Sequence, residues 1–242
     1  MISVCMATYN GERFIKEQLD SILCQLSEDD EVIISDDGST DKTLEIIDSY
    51  NDKRIKVLHH KKEENVYFKK SNVLFATKNF ENALKHAVGD YVYLSDQDDI
   101  WCENKIEETK KLLQKYDFVM SNFSIINDDG LLKQDFFYEK NPINSNILFS
   151  LIHPHFIGCC CCFNRNLLKR ILPFPDRIYS HDLWIGLIAQ RFGTIEYVNT
   201  PLIKHRVGDY NSSTACKKSI NSFIFKIKYR FFVLLELMKR SY

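Results

Sequence analysis

The chain has 242 residues, 45% hydrophobic and 27% charged, an ordinary globular composition with enough apolar material for one large core. Its 32 basic and 33 acidic side chains leave a formal net charge of -1, so no bulk attraction to nucleic acid exists and none is expected as a partner. The eight cysteines lack the doubled C-x-x-C spacing of a zinc site.

From the start, residues 2–8 are a short apolar run without a basic leader, too brief for a signal peptide or membrane span, and read as a first strand. After the turn at Tyr9-Asn10-Gly11, residues 12–26 repeat apolar side chains at Phe14, Ile15, Leu19, Ile22, Leu23 and Leu26, a helical period. Residues 31–35 are a second strand, Asp36-Asp37-Gly38-Ser39 its turn, and residues 40–50 a second helix. A third strand over 55–59, a helix over 79–88 and a fourth strand over 91–95 complete a β-α alternation, which predicts a mostly parallel open sheet with helices on both faces. Residues 61–78, basic at their start, read as a surface or active-site loop.

The fourth strand runs into Asp96-Gln97-Asp98-Asp99, three carboxylates within four residues. An open α/β sheet places ligands at the C-terminal ends of its strands, and hard cations such as Mg2+ and Mn2+ take oxygen ligands while bridging to phosphates. The turn therefore reads either as a metal-diphosphate site or as acidic capping of a helix predicted over 104–116.

Beyond it, residues 118–126 read as a strand, Asn127-Asp128-Asp129-Gly130 as a hairpin turn and 136–150 as irregular. Residues 156–163 then read as a strand carrying Cys159-Cys160-Cys161-Cys162. Alternation would send those thiols to opposite faces, so they read as small buried hydrophobes of a reducing cytosol. Helices follow over 165–171 and 182–192, which makes the C-terminal half mixed. Residues 220–238 are rich in Phe, Ile and Leu but carry Lys226, Lys228, Arg230 and Glu236. Those charges argue against a spanning helix and for an amphipathic one, lying on the domain, on a second subunit as in a homodimer, or peripherally on an anionic membrane.

Three of these segments, Ala7-Thr8-Tyr9-Asn10, Ser35-Asp36-Asp37-Gly38-Ser39-Thr40-Asp41 and Asp96-Gln97-Asp98-Asp99, stand in order, each after a strand. Together they resemble the family 2 glycosyltransferases, over roughly residues 1–210. The wording Leu94-Ser95-Asp96-Gln97-Asp98-Asp99-Ile100-Trp101 is similar to the branch holding many bacterial rhamnosyltransferases of surface polysaccharides.

The resemblance implies a GT-A fold, an inverting transfer from a nucleotide-diphosphate sugar, a glycan or lipid-linked acceptor, and Mn2+ or Mg2+ as cofactor. Carried over by motif, Ala7, Thr8 and Tyr9 line the nucleotide, Asp37 reads a pyrimidine base, and Lys78 and Asn79 approach the nucleotide. Asp98 contacts the metal, and Asp96 the metal or the ribose. In Ser180-His181-Asp182-Leu183-Trp184, Asp182 matches the catalytic base, though an acid there is also a common N-cap. His205 and Arg206 stand where the family holds the diphosphate, but the usual later histidine is missing.

The resemblance also implies residues 1–101 as a nucleotide-binding half, 102–210 as an acceptor half, 211–242 as a helical tail, and a cytoplasmic location that extends to the inner face of the cell membrane. The rival readings are a sugar-1-phosphate nucleotidyltransferase, which would want a glycine-rich loop after strand one, a phosphatase, whose acidic pair would follow the first strand, and a non-catalytic glycan-binding module on the same fold.

Overall fold

The computed structural model describes residues 1–60, 72–208 and 223–240. The readings made for 61–71, 209–222 and 241–242 lie outside the described residues. A nine-stranded sheet in the order β3-β2-β1-β4-β8-β6-β9-β5, with β7 paired to β6, organises the described residues.

Its first half is the predicted one. Strands β1 (Ile2–Thr8), β2 (Glu31–Asp36), β3 (Ile55–His59) and β4 (Tyr91–Ser95) are parallel. Helices α1 (Ile15–Leu23), α2 (Thr43–Asp48) and α3 (Asn72–His86) connect them. Strands β1 and β2 are buried almost throughout, as near-continuous Val and Ile runs covered on both faces should be. α3 begins at Asn72, before the predicted residue 79, because the apolar run at residues 73–76 follows directly on the polar, basic stretch with which it was read as a loop.

The second half turns the sheet mixed. β8 (Cys161–Asn164) inserts between β4 and β6 (Phe118–Ile126), antiparallel to both. A single 3-10 turn over Gly158–Cys160 precedes it, so the cysteine run is part turn and part strand, with all four side chains buried.

β9 (Ile195–Arg206) runs parallel to β6 and was not read from the sequence. Pro201 stands in its middle, where the pairing with β6 shifts register near Asn122, and a proline that cannot donate to the ladder breaks the strand signal. The two-residue β5 (Ile100–Trp101), β7 (Leu132–Gln134) and the six-residue α5 (Ile147–Ile152) were too short to show a period. α4 (Lys105–Leu113), α6 (Arg165–Ile171) and the tail helix α8 (Phe223–Lys239) fall where expected.

α7 (His181–Phe192) is buried along its length, with Trp184 fully enclosed and its indole Nε1 donating to the Ile171 carbonyl at 3.0 Å. A helix apolar on all sides belongs inside. Gly186 lets it come close: a Cβ there would stand 2.2 Å from the ring of buried Phe156. Gly186→Ala is therefore expected to lower stability by about 1–3 kcal/mol through overpacking, read from denaturant unfolding midpoints.

Candidate active site

Because β1, β2 and β4 are parallel, their C-terminal turns open on one edge of the sheet. At the first two, Asp36 builds the backbone. Its carboxylate accepts from the Gly38 and Ser39 amides at 2.9 and 2.8 Å and from the Thr8 hydroxyl at 3.1 Å. Gly38, at φ +80°, takes the left-handed turn that favours glycine. Asp37 donates its amide to the Thr8 carbonyl at 2.9 Å, and its buried carboxylate meets His60 Nδ1 at 2.6 Å. Ala7 is half-buried, Thr8 buried, and the Tyr9 ring exposed.

Gln97 clamps the first turn to the acidic one: its Oε1 accepts from the Tyr9 amide at 2.9 Å and its Nε2 donates to the Tyr9 carbonyl at 3.2 Å. Asn79 of α3 donates to the Thr8 carbonyl at 3.1 Å. Lys78 lies beside it, with its ammonium 3.0 Å from Glu81.

The acidic turn is held from behind by the end of β9. Asp99 Oδ1 accepts from His205 Nδ1 at 2.8 Å and from the Arg206 amide at 3.1 Å. The Arg206 guanidinium, 1% exposed as a residue, donates to the carbonyls of Asp98, Asn127 and Asp128 and to Glu17, and stacks on Phe14. Burial opposes charge on His205, but the Asp99 carboxylate outweighs it and raises the imidazole to about 10. Burial would likewise raise Asp99, yet the charge and hydrogen bond of His205 hold it below the usual carboxylate range.

The neighbouring acids have no such partner. Burial pushes Asp96 up to about 6, with the Asp99 and Asp182 charges adding to it, and pushes Asp98 up to about 8, reinforced by Asp99 and Asp96. Such crowding is what a site for a cation looks like before the cation's charge is counted.

The donor atoms fit a divalent metal. Asp96, Asp99, Cys159 and His205 each offer an atom, all within 4.8 Å of one another, and the second oxygen of Asp99 is buried without a partner. The two carboxylates suit Mn2+ or Mg2+, while the imidazole and the thiol are softer donors. Asp98 lies outside this quartet. Cys159 is fixed there by fully buried Lys105, whose ammonium donates to its carbonyl at 3.2 Å.

Asp182 reaches the same place from α7. Ser180, not Asp182, caps that helix, its hydroxyl accepting from the Leu183 amide at 3.3 Å. The Asp182 side chain is 30% exposed, with Oδ1 2.6 Å from His181 Nε2. Burial works against charge on His181, but the Asp182 carboxylate prevails and raises its pKa. A Cβ on Gly158 would stand 2.4 Å from Asp182 Oδ1 and 2.8 Å from His181 Nε2. Gly158 thus abuts Asp182 while its neighbour Cys159 joins the acidic quartet.

Asp96, Asp99, Cys159 and His205 thus lie together, Asp98 shares their turn, and Asp182 stands near enough for its charge to raise Asp96. Sequence reading did not find Gln97, Gly158, Cys159, Lys105 or His60, and it gave Asp99 no role apart from the acidic turn. Asp99 instead anchors β9, and α4 has no side-chain cap at Asn104. Only the cysteine run and the glycine before it carried a signal, and that run read as packing.

The family model for glycosyl transferase family 2 matches residues 3–172, and the chain belongs to that family. This sets aside the nucleotidyltransferase and phosphatase readings. The UDP-Glc:alpha-D-GlcNAc-diphosphoundecaprenol beta-1,3-glucosyltransferase WfgD of Escherichia coli is 28% identical over 218 residues, 88% of this chain and 80% of its own length. The dTDP-rhamnosyl transferase RfbG of Shigella flexneri is 41% identical over 105 residues, 42% of this chain and 34% of its own.

Among solved structures, S. aureus TarS residues 1–349 with UDP-GlcNAc match with a TM-score of 0.72 at 22% identity, over all of this chain and 67% of that one. The mannosyltransferase PcManGT from Pyrobaculum calidifontis with GDP-Man and Mn2+ matches at 0.58 and 19%, over 98% of this chain and 70% of that one. Both likenesses are of fold, which is the GT-A type.

Glu81, buried under this edge, also receives Lys85 at 3.1 Å and the Phe174 amide at 3.0 Å. Burial would raise its pKa, but Lys78 and Lys85 hold it low. Its ionised form therefore stabilises the fold above the unfolded pKa of about 4.3 and ceases to do so as pH falls through the lower folded value. Glu81→Gln should cost about 1–3 kcal/mol at neutral pH, and the gap to the parent protein should close on acidification to about pH 3, read from denaturant melts at both pH values.

Proposed function

We propose that this chain transfers a sugar, with inversion, from a UDP- or dTDP-linked donor, dTDP-rhamnose among them, to a hydroxyl of a glycan or lipid-linked glycan. The reaction would serve bacterial surface polysaccharide synthesis on the cytoplasmic side, where such donors are made. The observation that carries the reading is the convergence of Asp182 with the acidic turn across Gly158 and Cys159. The names of WfgD and RfbG, relatives that act with UDP- and dTDP-linked sugars, support the donor class.

In this reading residues 1–101 form the donor wall. Tyr9, exposed beside Thr8 and Ala7, offers a face for the base, and the Asp37 carboxylate, oriented by His60, can accept from the N3-H of a pyrimidine. Lys78 flanks the nucleotide from α3. Asp96 and Asp98 would hold a divalent cation, with Asp99 and His205 as its rear wall. That ion, when bound, neutralises charge on the departing diphosphate. Arg206 contributes by fixing the Asp98 carbonyl, and His205 by holding Asp99 ionised.

Residues 102–210 form the acceptor wall. Asp182 takes the proton of the acceptor hydroxyl as that oxygen bonds to the anomeric carbon, while the bond to the diphosphate breaks and its electron pair leaves with the phosphate oxygen. His181 orients the carboxylate, and Thr77 in turn donates to the Tyr179 carbonyl and accepts from the His181 amide.

Asp182→Asn should retain Mn2+-dependent thermal stabilisation by UDP while losing at least about a hundredfold in transfer rate; turnover at the parent rate would refute the assignment. Gly158→Ala, which drives a methyl into the Asp182 carboxylate, should reproduce that split between intact nucleotide binding and lost transfer. Asp98→Ala should weaken UDP binding in Mn2+ and leave little further effect of a chelator. Calorimetry showing affinity unchanged by either treatment would remove the metal from the account.

A further inference from the structure

The tail helix α8 has two apolar faces, and among the described residues only one is covered. Its inner face packs on α7 and the segment before it: Val233 and Leu237 are buried, and the Tyr229 hydroxyl accepts from the Tyr179 and Ser180 amides at 3.0 and 3.3 Å. Its outer face presents Ile224, Ile227, Phe231, Leu235 and Met238, spaced at three, four, four and three residues, a single stripe along the helix. These are exposed, Ile224 by 65%, Phe231 by 62% and Met238 by 61%.

α5 extends the surface. Arg230 donates to the carbonyls of Leu151 and Ile152 at its C-terminal end, which brings exposed Phe149 and Ile152 beside the stripe.

Cations border this surface. Lys228 and Lys239 are exposed along one side of the stripe. Beyond its C-terminal end, Lys169, Arg170 and Arg240 line a recess of about 480 Å3 together with Asn166. The only acid on either helix, Glu236, is 2.5 Å from Lys239. No helix among the described residues is long and apolar enough to cross a membrane, so an apolar stripe edged with cations suits a surface on which it lies flat. A second copy of the chain would set these cations against their own kind.

We propose that α8 and the end of α5 form a docking face for an anionic lipid bilayer, with the stripe inserted at the level of the acyl chains and the cations among the headgroup phosphates. The face stands on these two helices alone; its use in reaching a lipid-linked acceptor rests on the glycosyltransfer reading above. Because the inner face of α8 holds the amide of Ser180, docking would set Asp182 about one helix diameter, 10–12 Å, from the lipid surface.

The test is co-sedimentation of the full chain with vesicles of phosphatidylcholine alone and of phosphatidylcholine mixed with phosphatidylglycerol. Binding is expected to the mixed vesicles, to weaken with added salt, and to fall about tenfold or more on Ile227→Ser with Phe231→Ser. Lys228→Gln should lower it about fivefold. Thermal melting and Mn2+-dependent UDP binding of these exposed-site variants should match the parent, which separates failure of docking from failure of the nucleotide site. Equal binding to both vesicle types, binding indifferent to the serine pair, or a dimer in sedimentation equilibrium that Phe231→Ser dissociates would overturn the proposal.

Discussion

Asp99 is a carboxylate with almost no access to water, and its ionisation is sustained by His205 and the Arg206 amide on a strand more than a hundred residues away. Removing one partner from a buried pair of this kind costs about 3–5 kcal/mol, since the other charge is left stranded. The pair therefore locks the turn after β4 to the end of β9. Everything else in the site inherits that lock: the Asp98 carbonyl is gripped by Arg206, Gln97 then engages Tyr9, and the turns after β1 and β4 take fixed places relative to one another.

Around this anchor, adjacent residues divide structural from chemical tasks. Asp36 satisfies the amides of its turn, and Asp37 beside it points to His60. Ser180 caps α7, and Asp182 is left to meet His181. In each pair the small or first polar residue meets the backbone demand of a turn or helix start. The second is thereby released from the role its type most often plays.

The parallel half of the fold could be read directly from the sequence, because β1, β2 and β4 are long apolar runs separated by helices of clear period. The acidic turn and Asp182 were singled out through their resemblance to a family and their places after a strand and before a helix. What escaped was what pattern does not encode. β9 hides behind Pro201 and a shifted register, and Asp99 and His205 meet only through tertiary contact. Gly158 matters because of a side chain packed against it from another helix. Cys159 looked like one of four interchangeable packing residues, and a 3-10 turn gave it a different outlook from its neighbours.

The insertion of β8 between β4 and β6 has a mechanical consequence. Hydrogen bonds run without a break from β4 through β8 into β6. Prising the parallel half from the mixed half would mean tearing ladder bonds, so the described residues offer no seam along which the sheet could swing open like a pair of jaws. Any widening of the rim would have to come from the connecting segments and not from the strands.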